Sequence, residues 1–140
     1  MSDAALVAAA AQLLGGAPDD ATLASPEVSF QCCSSCGFLR HPAAPICPEC
    51  LGRTFEWRLD SGLGSVWSFC IYHRAFDPAF EAALPYNVVL VELDSGPRII
   101  SNVLGVEPRD LHVGLRVRAL ATEVLPGHFL LYFASVEEAG

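Results

Sequence analysis

Two pairs of cysteines constrain this chain more than any other feature of its sequence. Cys33 and Cys36 form the first pair and Cys47 and Cys50 the second, and each has the spacing Cys-x-x-Cys. Each pair can make a tight turn whose backbone N–H groups point at the thiolates, and four thiolates complete a closed tetrahedral metal site. The spacing therefore predicts a metal-binding ribbon with these four residues as ligands.

The same four thiolates suit either zinc or iron, because rubredoxin-like ribbons also use Cys-x-x-Cys-Gly and Cys-Pro-x-Cys segments. We expect zinc; a red iron protein would instead indicate an electron carrier. Disulfides and a redox pair are disfavoured, since no secretion signal is recognisable and a redox motif normally occurs once. A four-cysteine site has no open coordination position, so its expected role is to fold the ribbon. Cys32 should point away from the site, and Cys70 is expected to be a small core residue.

The remaining pattern predicts a mainly β chain. Residues 3–14 are rich in Ala and Leu and predict a helix, and residues 17–26 are expected to be a linker. The later β-rich runs predict five strands, at residues 65–73, 86–93, 98–104, 115–120 and 128–135. With one helical turn at residues 107–111, they fit a five-stranded OB-fold barrel, and an SH3-like barrel is the alternative. The expected domains are the N-terminal helix and linker (1–27), the zinc ribbon (28–57) and the OB-fold domain (58–140).

Composition indicates a buried surface and argues against nucleic acid. Hydrophobic residues make up 52% of the chain and charged residues only 17%, although small domains need charge to stay soluble alone. Part of the surface is therefore expected to meet a partner. The net charge is −8, and all eight basic residues are Arg, which disfavours binding to phosphate backbones. No run approaches the roughly 18 apolar residues of a membrane-spanning helix.

No catalytic constellation of the usual kinds is recognisable. The four histidines, at positions 41, 73, 112 and 128, have no motif partners. Neither a Ser-His-Asp order, nor a phosphate-binding glycine loop, nor an HExxH motif is present. The sequence therefore predicts a chain that does not itself catalyse a reaction.

Four segments, taken in order, resemble a known family. The first is the ribbon, with Cys-x-x-Cys-Gly at 33–37, Arg-His-Pro at 40–42 and Cys-Pro-x-Cys at 47–50. The others are Gly-Ser-Val-Trp-Ser-Phe at 64–69 with His73 and Arg74, the segment from Leu-Pro-Tyr at 84–86 to Asn102, and Val-Gly-Leu-Arg-Val at 113–117. Together they are similar to the acyl-CoA-associated OB-fold proteins with an N-terminal zinc ribbon, the domain of unknown function 35 family.

The resemblance implies a companion subunit of a thiolase-fold enzyme, such as a steroid side-chain aldolase or an acetyl-CoA acyltransferase. It implies a zinc-binding, non-catalytic, cytoplasmic protein in which the ribbon and N-terminal helix dock the partner and the barrel helps to enclose the acyl-CoA. A single-stranded nucleic-acid binder is the alternative, because OB folds and zinc ribbons both occur there. Arg74 and Phe76 are expected ligand contacts, since residues 74–85 form a long connection that bears aromatic residues. Arg98 is the third expected contact, because either Arg74 or Arg98 would lie near the polar end of the ligand.

Overall fold

The computed structural model describes residues 3–14 and 22–136. The predicted helix is confirmed as α1 (Asp3–Leu14), and its expected end at Gly15 and Gly16 lies outside the described residues. Ala and Leu fill this helix because neither side chain loses much freedom in it. Among residues 3–14 and 22–136, no helix has the length and apolar character that a membrane crossing requires.

The ribbon is a three-stranded sheet with β1 (Ser29–Cys33) in its centre. β2 (Leu39–Arg40) and β3 (Phe55–Leu59) pair with β1 in antiparallel fashion on either side. The first cysteine pair spans the end of β1 and the turn that leads to β2, and the second pair lies between β2 and β3. The sheet thus brings both pairs to the same end.

All five predicted strand runs are present in the second sheet, with the third run split in two. Its strands are β4 (Leu63–Tyr72), β5 (Tyr86–Leu93), β6 (Arg98–Ser101), β7 (Val103–Leu104), β8 (Arg116–Leu125) and β9 (His128–Ser135). Their order in space is β6-β5-β4-β8-β9-β7. The predicted helical turn is a short 3-10 helix at Pro108–Asp110. The mainly β architecture with an OB-type strand arrangement is therefore confirmed.

The two edges of this sheet, β6 and β7, follow each other in the chain and meet at Asn102. The buried side chain of Asn87 donates to the carbonyl oxygen of Val103 and accepts from its N–H, both at 2.8 Å. Asn102 donates to the carbonyl oxygen of Asn87, and its own carbonyl accepts from the N–H of Phe133 at 3.0 Å. These bonds hold the bent strand between β5 and β9, so the sheet curls back on itself.

The barrel core receives two buried side chains from the part of the chain that precedes the barrel. Phe30, on ribbon strand β1, is fully buried in this core. Leu23 is also buried there, and its backbone exchanges hydrogen bonds with Phe129 at 2.7 and 2.8 Å. Leu23 lies in the segment expected to be a linker, so the described part of that segment packs against the barrel.

Cys70 is exposed, and the prediction of a core position is wrong. The reason is a β-bulge at Trp67: Val66 pairs with Val91, whereas Ser68 pairs with Leu90. Adjacent residues of β5 point to opposite faces, so the extra residue moves Ser68 and Cys70 to the face opposite Val66.

The connection between β4 and β5 contains a 3-10 helix at Pro78–Ala83, which we call the loop helix. The side chain of Asp77 caps it by accepting from the N–H of Ala79 at 2.8 Å. Leu6 of α1 packs against this helix and against Tyr86 in a second apolar cluster. The N-terminal helix thus covers the barrel beside the loop helix.

Candidate metal centre and ligand-contact residues

The four cysteines of the two pairs meet in space. Their Sγ atoms all lie within 4.8 Å of one another. Cys33 Sγ is 3.5 Å from Cys50 Sγ, and Cys36 Sγ is 3.6 Å from Cys47 Sγ. A tetrahedral site with Zn–S bonds of 2.3 Å places its sulfur atoms about 3.8 Å apart. The cluster therefore has the size and the donor set of a closed four-thiolate site, for which zinc and iron are both chemically suited.

The surroundings of the first pair favour the thiolate form of Cys33 and disfavour the thiolate form of Cys36. The N–H groups of Cys36 and Ser35 lower the pKa of the Cys33 thiol from 9.0 to about 6. The N–H of Phe38 also lowers the pKa of Cys36, but burial and the neighbouring thiols outweigh it and raise that pKa to about 12. Four negative charges repel in so small a space, so a divalent cation is the natural replacement for the remaining protons.

Cys32 lies outside this cluster. It follows Gln31 on β1 and precedes Cys33, so its side chain points to the opposite face of the strand from that of Cys33. Its Sγ atom lies 3.7 Å from the carbonyl oxygen of Gly37. Cys32 is therefore placed as a packed neighbour of the site.

Two of the three expected ligand contacts, Arg74 and Phe76, lie together at the β4 end of the long connection. The Arg74 guanidinium carbon is 5.7 Å from the centre of the Phe76 ring, and Phe76 is 80% exposed. The Phe76 ring also makes an edge contact with Tyr72 at 6.1 Å. This arrangement presents an aromatic face and a positive charge to the surroundings of the barrel.

The third expected contact, Arg98, is placed elsewhere. Its guanidinium carbon lies 4.3 Å above the Trp67 ring, and its Nε donates to Glu92 Oε2 at 3.0 Å. Glu92 pairs with Ser65, whereas Tyr72, next to the loop, pairs with the other end of β5. About seven strand residues, or roughly 23 Å, separate the two ends. The structure does not bring Arg98 together with Arg74 and Phe76.

One functional candidate is Arg40, which the sequence reasoning noted only as part of the Arg-His-Pro segment. Its side chain is 6% exposed, its Nε donates to Gln31 Oε1 at 2.7 Å, and its Nη2 donates to the carbonyl oxygen of Ala44 at 3.0 Å. Its Nη1 is buried with no hydrogen-bond partner among the described residues. An Arg at the end of a two-residue strand gives no sequence signal of such burial.

Large apolar side chains are concentrated on the outside of the ribbon. Phe55, Trp57 and Leu59 alternate along β3, are 37%, 53% and 67% exposed, and share one face. We call these three residues the ribbon stripe. Leu51, in the second cysteine turn, is 74% exposed. By contrast, Leu6 and Ala9 of α1 are buried, so much of the helix's apolar side is already covered by the chain itself.

A four-cysteine ribbon followed by an OB-type barrel defines a class of two-module metal-ribbon proteins. Comparison with known families agrees over both modules. Residues 21–56 match the model of the ChsH2 rubredoxin-like zinc ribbon domain. Residues 57–122 match that of the ChsH2 C-terminal OB-fold domain. The chain belongs to this family, also known as DUF35.

Individual relatives carry different descriptions. A probable enoyl-CoA hydratase alpha subunit of Thermomonospora curvata is 40% identical over 90 residues, which cover 63% of this chain and 27% of that protein. A DUF35 domain-containing scaffold protein of Methanocaldococcus jannaschii is 35% identical over 89 residues, or 63% of this chain and 62% of that protein. A scaffold protein of the same description from Methanothermobacter thermautotrophicus is 32% identical, with 69% of its length covered. The chain thus spans less than two thirds of the first two relatives.

Among solved structures, a chain of the Ltp2-ChsH2(DUF35) aldolase has the same fold. The TM-score is 0.66 at 31% sequence identity, and the match covers 96% of this chain and 95% of that one. The likeness therefore extends over both modules and beyond the segments that the family models match.

Proposed function

We propose that this protein is a non-catalytic, zinc-binding subunit of an acyl-CoA-processing complex, docked on a thiolase-fold enzyme. The observation that carries the proposal is the match of nearly the whole chain to a chain of the Ltp2-ChsH2(DUF35) aldolase. The scaffold and hydratase-subunit descriptions of the relatives support the same role. The partner would be a steroid side-chain aldolase or an acetyl-CoA acyltransferase, and the complex would be cytoplasmic.

Zinc is the proposed metal, with Cys33, Cys36, Cys47 and Cys50 as its ligands. The family model of the ribbon is that of a zinc ribbon, and the four Sγ atoms are gathered as such a site requires. Zinc would supply structural crosslinking only, because four thiolates leave no coordination position for water or substrate. The proposed role of the site is to hold the two cysteine turns against each other.

The ribbon stripe is the proposed docking surface. A stripe of Phe, Trp and Leu side chains on an outer strand is costly in water and typical of an interface core. The strand next to it contributes the buried Phe30, so a partner held by the stripe would be held rigidly relative to the barrel. A nucleic-acid role has less support, because the sixteen acidic residues outnumber the eight Arg and a phosphate backbone needs a basic surface.

The proposed ligand contacts are Arg74 and Phe76 at one end of the β4–β5 hairpin and Arg98 at the other. Because of their separation they would meet different parts of a long ligand at the partner interface. Charge-assisted contacts of Arg with phosphate or carboxylate are worth about 1.5–3 kcal/mol. Arg74→Ala should therefore reduce acyl-CoA use by the assembled complex about ten-fold or more, with zinc content and partner binding unchanged.

Co-expression with a thiolase-fold acyl-CoA enzyme tests the proposal. We expect a stable hetero-oligomer by size-exclusion chromatography, with acyl-CoA turnover by the complex and none by this chain alone. Trp57→Ala should release the partner, whereas Leu120→Ala, at an exposed apolar position of β8, should retain it. A monomer that cleaves thioesters alone would contradict the proposal. If Arg74→Ala, Phe76→Ala and Arg98→Ala all leave activity unchanged, the barrel is a scaffold only.

A further inference from the structure

A cleft of about 390 Å³ lies where the ribbon meets the turn between β5 and β6. The ribbon contributes Arg40 and His41 to its wall, and the barrel contributes Arg98. Phe38 and Pro97 are among its apolar walls. The volume is within the range of about 300–1,000 Å³ that is usual for small-molecule sites.

The charge of this cleft is opposite to that of the chain. The protein carries a net charge of −8, yet the residues that line the cleft, all of them in the described part of the chain, include two Arg and no acid. Arg98 has one carboxylate partner, Glu92, in an exposed ion pair at 3.0 Å. An anion in the cleft would therefore meet Arg40 without a competing carboxylate in the wall, and it would share Arg98 with the exposed Glu92.

Arg40 supplies the observation that points to a ligand. Its Nε and Nη2 are used by Gln31 and Ala44, and both acceptors are neutral. Its Nη1 is buried without a partner, and the ion pairs of the described residues do not include Arg40. A buried guanidinium without a counter-charge is unfavourable, and its charge is delocalised, so an anion beside any part of the group would compensate it.

The walls indicate what kind of anion fits. Phe38 and Ile46 are partly exposed at the cleft, and Pro48 and Pro97 add flat apolar surface. Such walls suit a planar ring, whereas the two guanidinium groups suit phosphate oxygens, which Arg can bind through paired N–H donors. A phosphorylated nucleoside combines both features in one molecule.

We propose that the cleft between ribbon and barrel binds the phosphorylated nucleotide end of coenzyme A, with Arg40 and Arg98 facing its phosphates. The proposal deepens the acyl-CoA role given above and rests on it for the identity of the ligand. It assigns this chain a nucleotide subsite, while the thioester would extend toward the partner. Burial lowers the pKa of His41, and a phosphate bound beside it would raise that pKa.

The test is calorimetric titration of the full-length, metal-loaded chain with three probes. Coenzyme A should bind, inorganic pyrophosphate should compete with it, and pantetheine, which lacks both nucleotide and phosphates, should not. Arg98→Ala should weaken coenzyme A binding at least ten-fold. Arg118→Ala, an equal loss of charge on β8 away from the cleft, should change it less than two-fold. Arg40→Lys keeps the positive charge but loses the paired N–H donors of the guanidinium. It should weaken coenzyme A binding and leave the metal content unchanged.

Equal effects of Arg98→Ala and Arg118→Ala would overturn the proposal, as would pantetheine binding as tightly as coenzyme A or no binding of coenzyme A. Partner retention is measured separately on the same variants. If the complex forms but coenzyme A does not bind in this cleft, the nucleotide subsite is refuted and the docking role stands. If the chain binds coenzyme A but no thiolase-fold enzyme, the docking role is refuted.

Discussion

The ribbon and the barrel reach order by different means. In the barrel, β5 alternates buried and half-buried residues, and its inward side chains join one apolar core. In the ribbon, all five residues of β3 are exposed, and burial is concentrated on β1 and around the cysteines. Burial of apolar side chains can hold the barrel together, whereas the ribbon has too little of it and needs its four thiolates bridged.

A fully buried aromatic side chain joins the two modules. Phe30 belongs to a ribbon strand, and its ring lies in the barrel core. His41, on the ribbon loop, packs against the same ring with centroids 5.7 Å apart. The ribbon therefore depends on its metal for internal order and on Phe30 for its position.

The largest expected effect is that of removing a buried metal ligand. Cys47→Ser should abolish binding of the metal and unfold the ribbon, because structural zinc contributes on the order of 10 kcal/mol to folding of such modules. Elemental analysis should find one zinc per chain in the unaltered protein and almost none in the variant. Cys70→Ser changes an exposed thiol and should leave the metal content at one. A ribbon that stays folded without metal would contradict the claim that the metal, and not apolar burial, holds the ribbon together.

A smaller effect is expected from the residue that joins the modules. Phe30→Ala should cost about 3–5 kcal/mol, because it leaves a cavity in the barrel core. Phe133→Ala removes an equally buried ring from β9 and should cost a similar amount. Only Phe30→Ala should also loosen the ribbon, seen as faster loss of metal to a chelator in stopped-flow measurements. Equal rates for the two variants would mean that Phe30 does not couple ribbon to barrel.

The smallest expected effect belongs to an exposed ion pair of the barrel. Two hydrogen bonds from Arg116, at 2.9 and 2.7 Å, lower the pKa of the Asp94 carboxyl below 3.8. The folded state thus favours the ionised form, so this contribution to stability is present above pH 3.8 and is lost as the pH falls through the lowered value. Asp94→Asn should cause a small loss of stability at pH 7 and none near pH 2, by urea denaturation. A difference that persists at pH 2 would contradict this assignment.

Much of the fold could be predicted because its signals are local. The helix at 3–14, the two cysteine turns and the five strand runs each depend on neighbouring residues, and the structure places them as expected. The bulge at Trp67 could not be predicted from alternation, because the extra residue is visible only against the register of β5. The bulge places Cys70 on the exposed face of β4 instead of in the core.

The positions of the expected site residues depend on non-local contacts as well. Arg74 and Arg98 are each exposed beside an aromatic ring, and only the pairing of β4 with β5 reveals that they lie at opposite ends of one hairpin. Burial of Arg40 depends on Gln31 on the neighbouring strand and on the loop at Ala44. Residue types and spacing do not reveal contacts between residues that are distant in the chain. The cleft could therefore be recognised only in the three-dimensional structure.

Amide hydrogen exchange with and without a metal chelator tests the contrast between ribbon and barrel most directly. We expect removal of the metal to abolish protection in β1, β2 and β3. Protection in β5 and β9, within the barrel core, should fall only slightly. If the ribbon strands keep their protection without metal, or if both modules lose it together, the claim that the metal orders the ribbon and apolar burial orders the barrel is wrong.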